Sequence, residues 1–155
     1  MPLEDDILTF EQVPTLAVLG KNALRVLAIG AESRNLPSGS VLFYAGELAD
    51  GGYVVQQGSI LLEPGTPLEG KEMTVGPGTL IGELALLTDM VSPATAIAKE
   101  PTTVIRISRN LFRKTLEGFP TAAKKLHELM AARIDEWTQE LETVKGALNK
   151  TSESK

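Results

Sequence analysis

Residues 82–98 read GELALLTDMVSPATAIA, and this stretch decides how the rest of the chain is interpreted. It follows a Pro77-Gly78 turn, opens with a glycine and a carboxylate, and continues into one apolar helical turn at residues 83–87. It ends in small and β-branched residues at 94–98, which favour a strand. The first amides of a helix have no partner within it, so a turn followed by a short helix can hold an anion. The sequence therefore predicts an anion cradle here.

Short runs with β propensity surround this stretch, and each is bounded by glycine or proline. They cover residues 41–44, 53–56, 59–62, 72–75, 80–81, 94–98 and 102–107. Many short strands with closely spaced turns are typical of a barrel or jelly roll, not of alternating strands and helices. We therefore predict a mostly β fold with some α-helix, in which a double-stranded β-helix (jelly-roll) barrel occupies residues 35–107.

Helical periodicity is found at the two ends of the chain. The acidic start, to about Phe10, is expected to be poorly ordered, and a short N-terminal helical unit is predicted at about residues 14–30. Ser108 is a good N-cap for a helix that Gly118-Phe119-Pro120 interrupts. A long C-terminal helix is predicted at residues 120–148, before a polar tail at 149–155.

The long helix carries a single apolar stripe with steps of three and four residues. Its members are Leu126, Met130, Ile134, Trp137, Leu141, Val144 and Leu148. This spacing is close to the a/d repeat of a coiled coil, and it predicts a homodimer through the helix. The alternative is that the stripe packs against the barrel of its own chain.

Composition excludes several classes of function. The 155 residues include no cysteine and one histidine, so disulfides, thiol chemistry and a histidine metal cluster within one chain are excluded. The net charge of −5 argues against direct binding of DNA or RNA. No membrane-length apolar run and no signal peptide are visible, so we expect a cytoplasmic protein without a membrane span. Carboxylate pairs such as Asp135-Glu136 read as solvated charge, and we predict no enzymatic activity.

Six motifs occur in a characteristic order along the chain. They are Leu36-Pro37-Ser38-Gly39, Gly46-Glu47-Leu48-Ala49-Asp50, Gly70-Lys71-Glu72-Met73, Pro77-Gly78, Gly82-Glu83-Leu84-Ala85-Leu86 and Ala94-Thr95-Ala96. In this order they resemble the cyclic nucleotide-binding domains shared by catabolite activator proteins and protein kinase A regulatory subunits. The last two resemble the start and end of that family's phosphate-binding cassette. The resemblance covers residues 10–148, and it implies a regulatory domain that binds cyclic AMP or cyclic GMP and signals through its C-terminal helix.

The resemblance also implies which residues contact the ligand. Glu83 stands where the family's glutamate accepts a hydrogen bond from the ribose 2′-hydroxyl. Gly82 and the amides of Leu84 and Ala85 stand where the cyclic phosphate is held. Thr95 stands at a small hydroxyl position that faces the base or the phosphate. Structural alternatives remain open: a carboxylate at a helix N-terminus for Glu83, a tight turn for Gly82 and an ordinary strand residue for Thr95.

The chain departs from the family's pattern at Ser92, which stands where an arginine normally clamps the phosphate oxygens. A hydrogen bond to a charged group contributes about 1.5–3 kcal/mol, so its loss lowers affinity by roughly one to two orders of magnitude. Lys71 is the only basic residue between positions 35 and 98. Arg106 and Lys99 are the other cations that the fold could bring near the ligand.

Two functions therefore remain open. The first is a sensor that binds a cyclic nucleotide or a related small anion in the cassette, where Ser92 supplies one uncharged hydrogen bond. The second is a ligand-free dimerisation or interaction module that keeps the fold but has lost nucleotide binding. No helix-turn-helix follows the long helix, so we predict no direct DNA binding, and the sequence favours a stand-alone sensor over a fragment of an activator.

Overall fold

The computed structural model describes residues 2–65 and 71–132. The helices are α1 (Pro2–Glu11), α2 (Pro14–Ala17), α3 (Lys21–Gly30), α4 (Arg109–Gly118) and α5, which is described over residues 120–132. The strands are β1 (Glu32–Leu36), β2 (Val41–Phe43), β3 (Leu48–Ala49), β4 (Gly51–Gln57), β5 (Ile60–Pro64), β6 (Met73–Val75), β7 (Leu80–Ile81), β8 (Met90–Val91), β9 (Ala94–Ala98) and β10 (Thr102–Ser108). A 3₁₀ turn, Leu84–Leu86, lies between β7 and β8. No helix within the described residues is both long and apolar enough to cross a membrane.

The strands form a jelly-roll barrel of two four-stranded sheets and one short ladder. The first sheet has the order β1-β10-β4-β7, the second has the order β2-β9-β5-β6, and β3 pairs with β8. Antiparallel pairing joins the neighbours throughout. Buried side chains from both sheets meet in one apolar cluster, which contains Val55 and Val104 of the first sheet and Ile60 and Ala96 of the second. The predicted mostly β, jelly-roll architecture is confirmed.

A second apolar cluster lies between the first sheet and the helices. Val54 and Ile105 belong to this helical cluster, whereas their strand neighbours Val55 and Val104 face the interior of the barrel. This alternation follows from the two-residue period of a strand, which sends successive side chains to opposite faces. Both faces of the central strands β4 and β10 are therefore covered, one by the second sheet and one by the helices.

The N-terminal segment differs from the prediction of a poorly ordered start. It forms α1, in which Phe10 is fully buried in the helical cluster and Leu3 and Ile7 pack against that cluster. The acidic residues Glu4 and Asp5 lie on the exposed face of the helix. The prediction was wrong because the acidic residues mark only the outer face, while an apolar face with helical spacing docks on the core.

Three strands are missing from the sequence-based prediction. β1 has the sequence ESRNL, which carries little β propensity, and it exists because all five residues pair with β10. β3 and β8 are two residues long and pair with each other. The predicted unit at 14–30 is divided into α2 and α3 at Gly20, whose φ is +85°. Tertiary pairing determines the three strands, because their local sequences do not specify them.

Helix α4 begins at the cap that the sequence predicts. The side-chain oxygen of Ser108 accepts a hydrogen bond from the Leu111 amide at 3.1 Å, so it caps α4. Leu126 on α5 is 4% exposed and belongs to the helical cluster, and Met130 packs against the same cluster. The first two members of the predicted dimer stripe therefore pack on their own chain. Its other members lie outside the described residues: Ile134, Trp137, Leu141, Val144 and Leu148.

Candidate functional site

A cavity of about 470 Å³ opens on the barrel beside the 3₁₀ turn. Residues 82–96, which we call the cassette, contribute Gly82, Glu83, Leu84 and Ser92 to its wall. Most of the remaining wall comes from β2, β4, β6 and β7, and from the segment around β3. The volume lies within the range of roughly 300–1,000 Å³ that is usual for small-molecule sites. The structure thus places part of the predicted ligand-binding set around one cavity.

The cassette can lie close to β4 because both backbones carry glycine where they approach each other. Gly82 has a φ of +83°, and a Cβ built on it would lie 3.1 Å from the carbonyl oxygen of Gly51. Gly51 itself is buried, and a Cβ there would lie 2.3 Å from the carbonyl oxygen of Ile107. Gly82 thus has a structural role, because only glycine adopts this conformation without strain and leaves room for β4. Its predicted ligand contact stays a prediction.

The 3₁₀ turn uses one of the amides that were expected to hold a phosphate. The Ala85 amide donates to the carbonyl oxygen of Gly82 at 3.0 Å, and the Leu86 amide donates to that of Glu83 at 3.2 Å. The side chain of Ala85 is fully buried and does not line the cavity, whereas Leu84 is 61% exposed and does. A phosphate could use the Ala85 amide only in competition with the turn, so the predicted role of Ala85 requires a rearrangement.

Ser92 occupies the position where the resemblance led us to expect an arginine. It lines the cavity and is 6% exposed. Its amide donates to the carbonyl oxygen of Glu47 at 2.8 Å, and its carbonyl oxygen accepts from the Gly46 amide at 2.9 Å. Its hydroxyl has no hydrogen-bond partner among the residues described. Ser92 is thus held by its backbone, and its hydroxyl is the polar group that this residue offers to the cavity.

Thr95 is engaged elsewhere in the protein. Its hydroxyl oxygen accepts a hydrogen bond from the Ala45 amide at 2.9 Å, and it is absent from the residues that line the cavity. This contact joins β9 to the loop that follows β2, and it agrees with the structural alternative for Thr95. The contact of Thr95 with a base or phosphate stays a prediction.

Among the residues that the structure describes, three carboxylates line the cavity. Glu47 accepts a hydrogen bond from the Tyr44 amide at 2.9 Å, and Asp50 forms an ion pair with Arg106 at 2.7 Å. Glu83 is the third and is half-buried. Nowhere in residues 2–65 and 71–132 do three or more acidic or histidine side chains come together in a group that could hold a metal ion.

Arg106, Lys99 and Lys71 were the candidate partners for a ligand phosphate. None of them lines the cavity in the described part of the chain. Arg106 is held by Asp50, and burial alone would lower its pKa; however, hydrogen bonds and charge contacts with Asp50 and Tyr53 raise that pKa above its usual value. Lys99 donates to the Thr74 hydroxyl at 3.4 Å and is exposed, and Lys71 is also exposed. No lysine or arginine is found among the described lining residues, so no charged clamp for a phosphate is present there.

Arg109 supports the cassette from the side of α4, and sequence reasoning missed it. Its Nε donates to the carbonyl oxygen of Ala85 at 2.8 Å, and its Nη2 donates to that of Ala49 at 2.6 Å. Its Nη1 forms an ion pair with Asp89. The guanidinium group thereby joins the start of α4 to the cassette and to β3. The only available signal was an arginine directly after the Ser108 cap, which does not identify its acceptors.

Comparison with known proteins agrees with this arrangement. The family described as "cyclic nucleotide-binding domain" matches residues 33–118. The cyclic AMP receptor protein of Thermus thermophilus is 35% identical over 120 residues, which make up 75% of this chain and 55% of the receptor. This chain therefore spans about half the length of that relative.

Two solved structures extend the comparison to the fold. A cyclic nucleotide-binding-like protein from Brucella abortus is 38% identical with a TM-score of 0.63, covering 73% of this chain and 98% of that protein. The N-terminal domain of a transcriptional regulator from Streptomyces coelicolor is 26% identical with a TM-score of 0.78, covering 86% and 94% respectively.

Proposed function

Because this chain belongs to the cyclic nucleotide-binding domain family, we propose that it is a regulatory sensor domain whose small-molecule ligand binds in the cavity beside the cassette. The single observation that carries the proposal is the cavity of about 470 Å³, one wall of which is formed by Gly82, Glu83, Leu84 and Ser92. The name of the Thermus thermophilus relative, cyclic AMP receptor protein, supports a ligand-binding role for the same region. The proposal assigns no catalytic step to the domain.

A direct route connects the cavity to the C-terminal helices. Leu84 lines the cavity, and Leu86, two residues later in the same 3₁₀ turn, is 2% exposed in the helical cluster. That cluster also contains Phe112 of α4 and Leu126 of α5. A ligand that displaces the turn must therefore repack these side chains, since close-packed interiors transmit small shifts. This contact supports signalling through α5.

Binding of cyclic AMP and cyclic GMP can be tested by introducing, at Ser92, the arginine that the family's pattern has at this position. The native cavity has no cation among its described lining residues, so we expect a dissociation constant in the millimolar range or weaker, which corresponds to a binding free energy of about −4 kcal/mol or one that is less negative. Ser92→Arg adds a charge-assisted contact, and it should tighten the binding of one or both nucleotides at least about tenfold. Isothermal titration calorimetry measures both constants.

The control is Ser92→Gln, which adds a shorter polar side chain that can donate hydrogen bonds but carries no charge. Hydrogen exchange at the amides of residues 120–132, measured on the loaded Ser92→Arg protein, provides the test of signalling. Slower exchange in α5 on ligand binding would support the sensor. Unchanged exchange, with the nucleotide bound, would refute it. If Ser92→Arg keeps the native melting temperature and gains no more affinity than Ser92→Gln, the cassette does not hold a phosphate.

A ligand-free interaction module is the second candidate function. It is favoured by the Ala85 amide, which is already engaged by the Gly82 carbonyl oxygen, and by the carboxylates around the cavity. In this case the homodimer predicted from the sequence would be the functional unit, and its stability would not depend on small molecules. The exchange experiment on α5 separates the two candidates, because a scaffold has no response to report.

A further inference from the structure

One wall of the cavity, formed by Ala49 and Asp50, is held firmly by the junction between β10 and α4. The Arg109 amide donates to the carbonyl oxygen of Asp50 at 2.7 Å, and the Arg109 Nη2 donates to that of Ala49 at 2.6 Å. The Arg106 side chain donates to the Asp50 carboxylate at 2.7 Å. Because three contacts join this wall to the end of β10 and the start of α4, we call it the fixed wall.

The cassette wall has a weaker polar connection to the same junction. The Arg109 Nε donates to the carbonyl oxygen of Ala85 at 2.8 Å, and Nη1 forms an ion pair with Asp89. The Asp89 side chain is exposed, and an ion pair with an exposed partner contributes little. The hydrogen bond at Ala85 is therefore the stronger of the two contacts. Of the two walls, the cassette is the one that a ligand displaces more easily relative to α4.

A single guanidinium group bridges the two walls. It is planar, and its N–H donors form a rigid fork that holds the acceptors in a fixed relation to each other. The side chain is 15% exposed, and a charged group that is so deeply buried is costly to leave without an acceptor. If a ligand shifts Ala85 relative to Ala49, the guanidinium group must follow Ala85 or lose that hydrogen bond. Since Arg109 is the first residue of α4, the start of the helix responds in either case.

We propose that Arg109 couples the cavity to α4 by bridging the fixed wall at Ala49 and the cassette at Ala85. Arg109 is a positioning residue, since it acts through these two carbonyl groups and is absent from the described lining of the cavity. This polar connection is separate from the packing of Leu86 in the helical cluster. The inference rests on the proposed function, because it names how the response of the sensor reaches α4.

Coupling between two sites acts in both directions, so a change at α4 must also alter the cassette. Arg109→Lys keeps the charge, but one nitrogen atom replaces three and cannot serve the three acceptors in their present positions. We expect the amides of Leu87 and Ser92 to exchange at least about fivefold faster in this variant without any ligand. In the native protein these amides donate to the carbonyl oxygens of Leu84 and Glu47 at 3.0 and 2.8 Å.

An amide in the second sheet distinguishes loosening of the cassette from a general loss of stability. The Ala98 amide donates to the carbonyl oxygen of Ser40 at 2.9 Å, and it should keep its native exchange rate. A purely structural role of Arg109 would accelerate exchange in the sheet and in the cassette alike, because both would open by global unfolding. Arg113→Lys changes an exposed arginine of the same helix and is the matched control. Equal acceleration at all three amides, or no acceleration in the cassette, would overturn the coupling.

The second measurement follows the same connection from the cavity outwards. It uses the Ser92→Arg protein with cyclic AMP or cyclic GMP and records hydrogen exchange at the amides of residues 109–118. We expect bound nucleotide to change these rates at least about threefold, and Arg109→Lys, added to the same protein, to reduce the change to less than about 1.5-fold. Arg113→Lys should leave the change intact. A full response in the presence of Arg109→Lys would overturn the proposal.

Failure of the coupling and failure of the sensor give different results. Unchanged exchange in α5 with the nucleotide bound refutes the sensor, whatever the ligand-free variants show. A normal response in α5, together with a cassette that Arg109→Lys does not loosen, leaves the sensor and assigns its signal to the packing of Leu86. If the Ser92→Arg protein binds neither nucleotide, the ligand-free comparison of Arg109→Lys with Arg113→Lys decides the coupling by itself.

Discussion

Replacing Arg109 by methionine tests how the cassette is held in place. In the native protein the guanidinium group donates to the carbonyl oxygens of Ala85 and Ala49 at 2.8 and 2.6 Å, and it forms an ion pair with Asp89. The arginine side chain is 15% exposed, while that of Asp89 is 91% exposed. Methionine keeps most of the apolar stem and removes every donor. The variant therefore isolates the polar contacts of Arg109 from its packing.

The expected magnitude follows from these contacts. Two hydrogen bonds from a charged donor contribute about 1.5–3 kcal/mol each. The ion pair with the exposed Asp89 contributes about 0–1 kcal/mol, and its contribution to the expected loss of stability is taken as zero. Removing a cation from the N-terminus of α4 returns about 0.3–1 kcal/mol. Taking the lower hydrogen-bond values and subtracting the returned helix-dipole term, we expect Arg109→Met to lower the free energy of unfolding by about 2.5 kcal/mol, a large share of a typical total of roughly 5–15 kcal/mol.

The assay is urea unfolding followed by far-ultraviolet circular dichroism, with thermal unfolding as a second measurement. A loss of about 2.5 kcal/mol corresponds to a fall of about 5–10 °C in the midpoint for a chain of this size. Arg113→Met is the matched control, because Arg113 is an exposed arginine of the same helix, and it should change stability by no more than about 0.5 kcal/mol. If the two variants differ by less than about 1 kcal/mol, Arg109 does not hold the cassette as argued.

Two further predictions concern Thr95 and the C-terminal helix. Thr95→Val removes the acceptor of the Ala45 amide, so it should cost about 1 kcal/mol in urea unfolding and, when it is added to the Ser92→Arg protein, leave nucleotide affinity unchanged; a fivefold loss of affinity without a loss of stability would instead assign Thr95 to the ligand. Leu141→Glu places a charge in the predicted dimer stripe and should raise the dimer dissociation constant at least about tenfold in sedimentation experiments. Gln139→Glu, which adds the same charge off the stripe, is its control, and a native protein that is already monomeric contradicts the predicted dimer.

The barrel was predictable because its signals are local. Glycine and proline separate the strands, and β-branched and apolar residues fill them, so most of the predicted runs overlap observed strands. The N-cap at Ser108 is also a local signal, since its side chain satisfies an amide three residues later. In contrast, β1 owes its existence to β10, and α1 owes its order to a core assembled from distant residues. The sequence of β1 does not identify β10 as its partner, and the sequence of α1 does not identify the core residues on which it packs.

At the candidate site, sequence reasoning identified the cassette and the unusual Ser92, and the structure brings Gly82, Glu83, Leu84 and Ser92 to one cavity. It did not anticipate the stacked Phe43 and Tyr53 rings, which also line the cavity. These residues belong to strands that pair with other neighbours and not with each other, so no spacing in the chain links them. The engagement of a backbone amide, as at Ala85, likewise depends on the local conformation and not on residue type.

The sequence by itself determined the fold class and the position of the cassette at residues 82–96. It also showed that the expected arginine is replaced at Ser92. These features rest on turn residues, strand periodicity and residue identity, which act over short distances along the chain. Only the tertiary structure decided that Arg106 is paired with Asp50, that Lys99 lies elsewhere, and that carboxylates and aromatic rings surround the cavity. The physical reason is that the charge and shape of a cavity are sums over residues far apart in sequence, and folding alone brings them together.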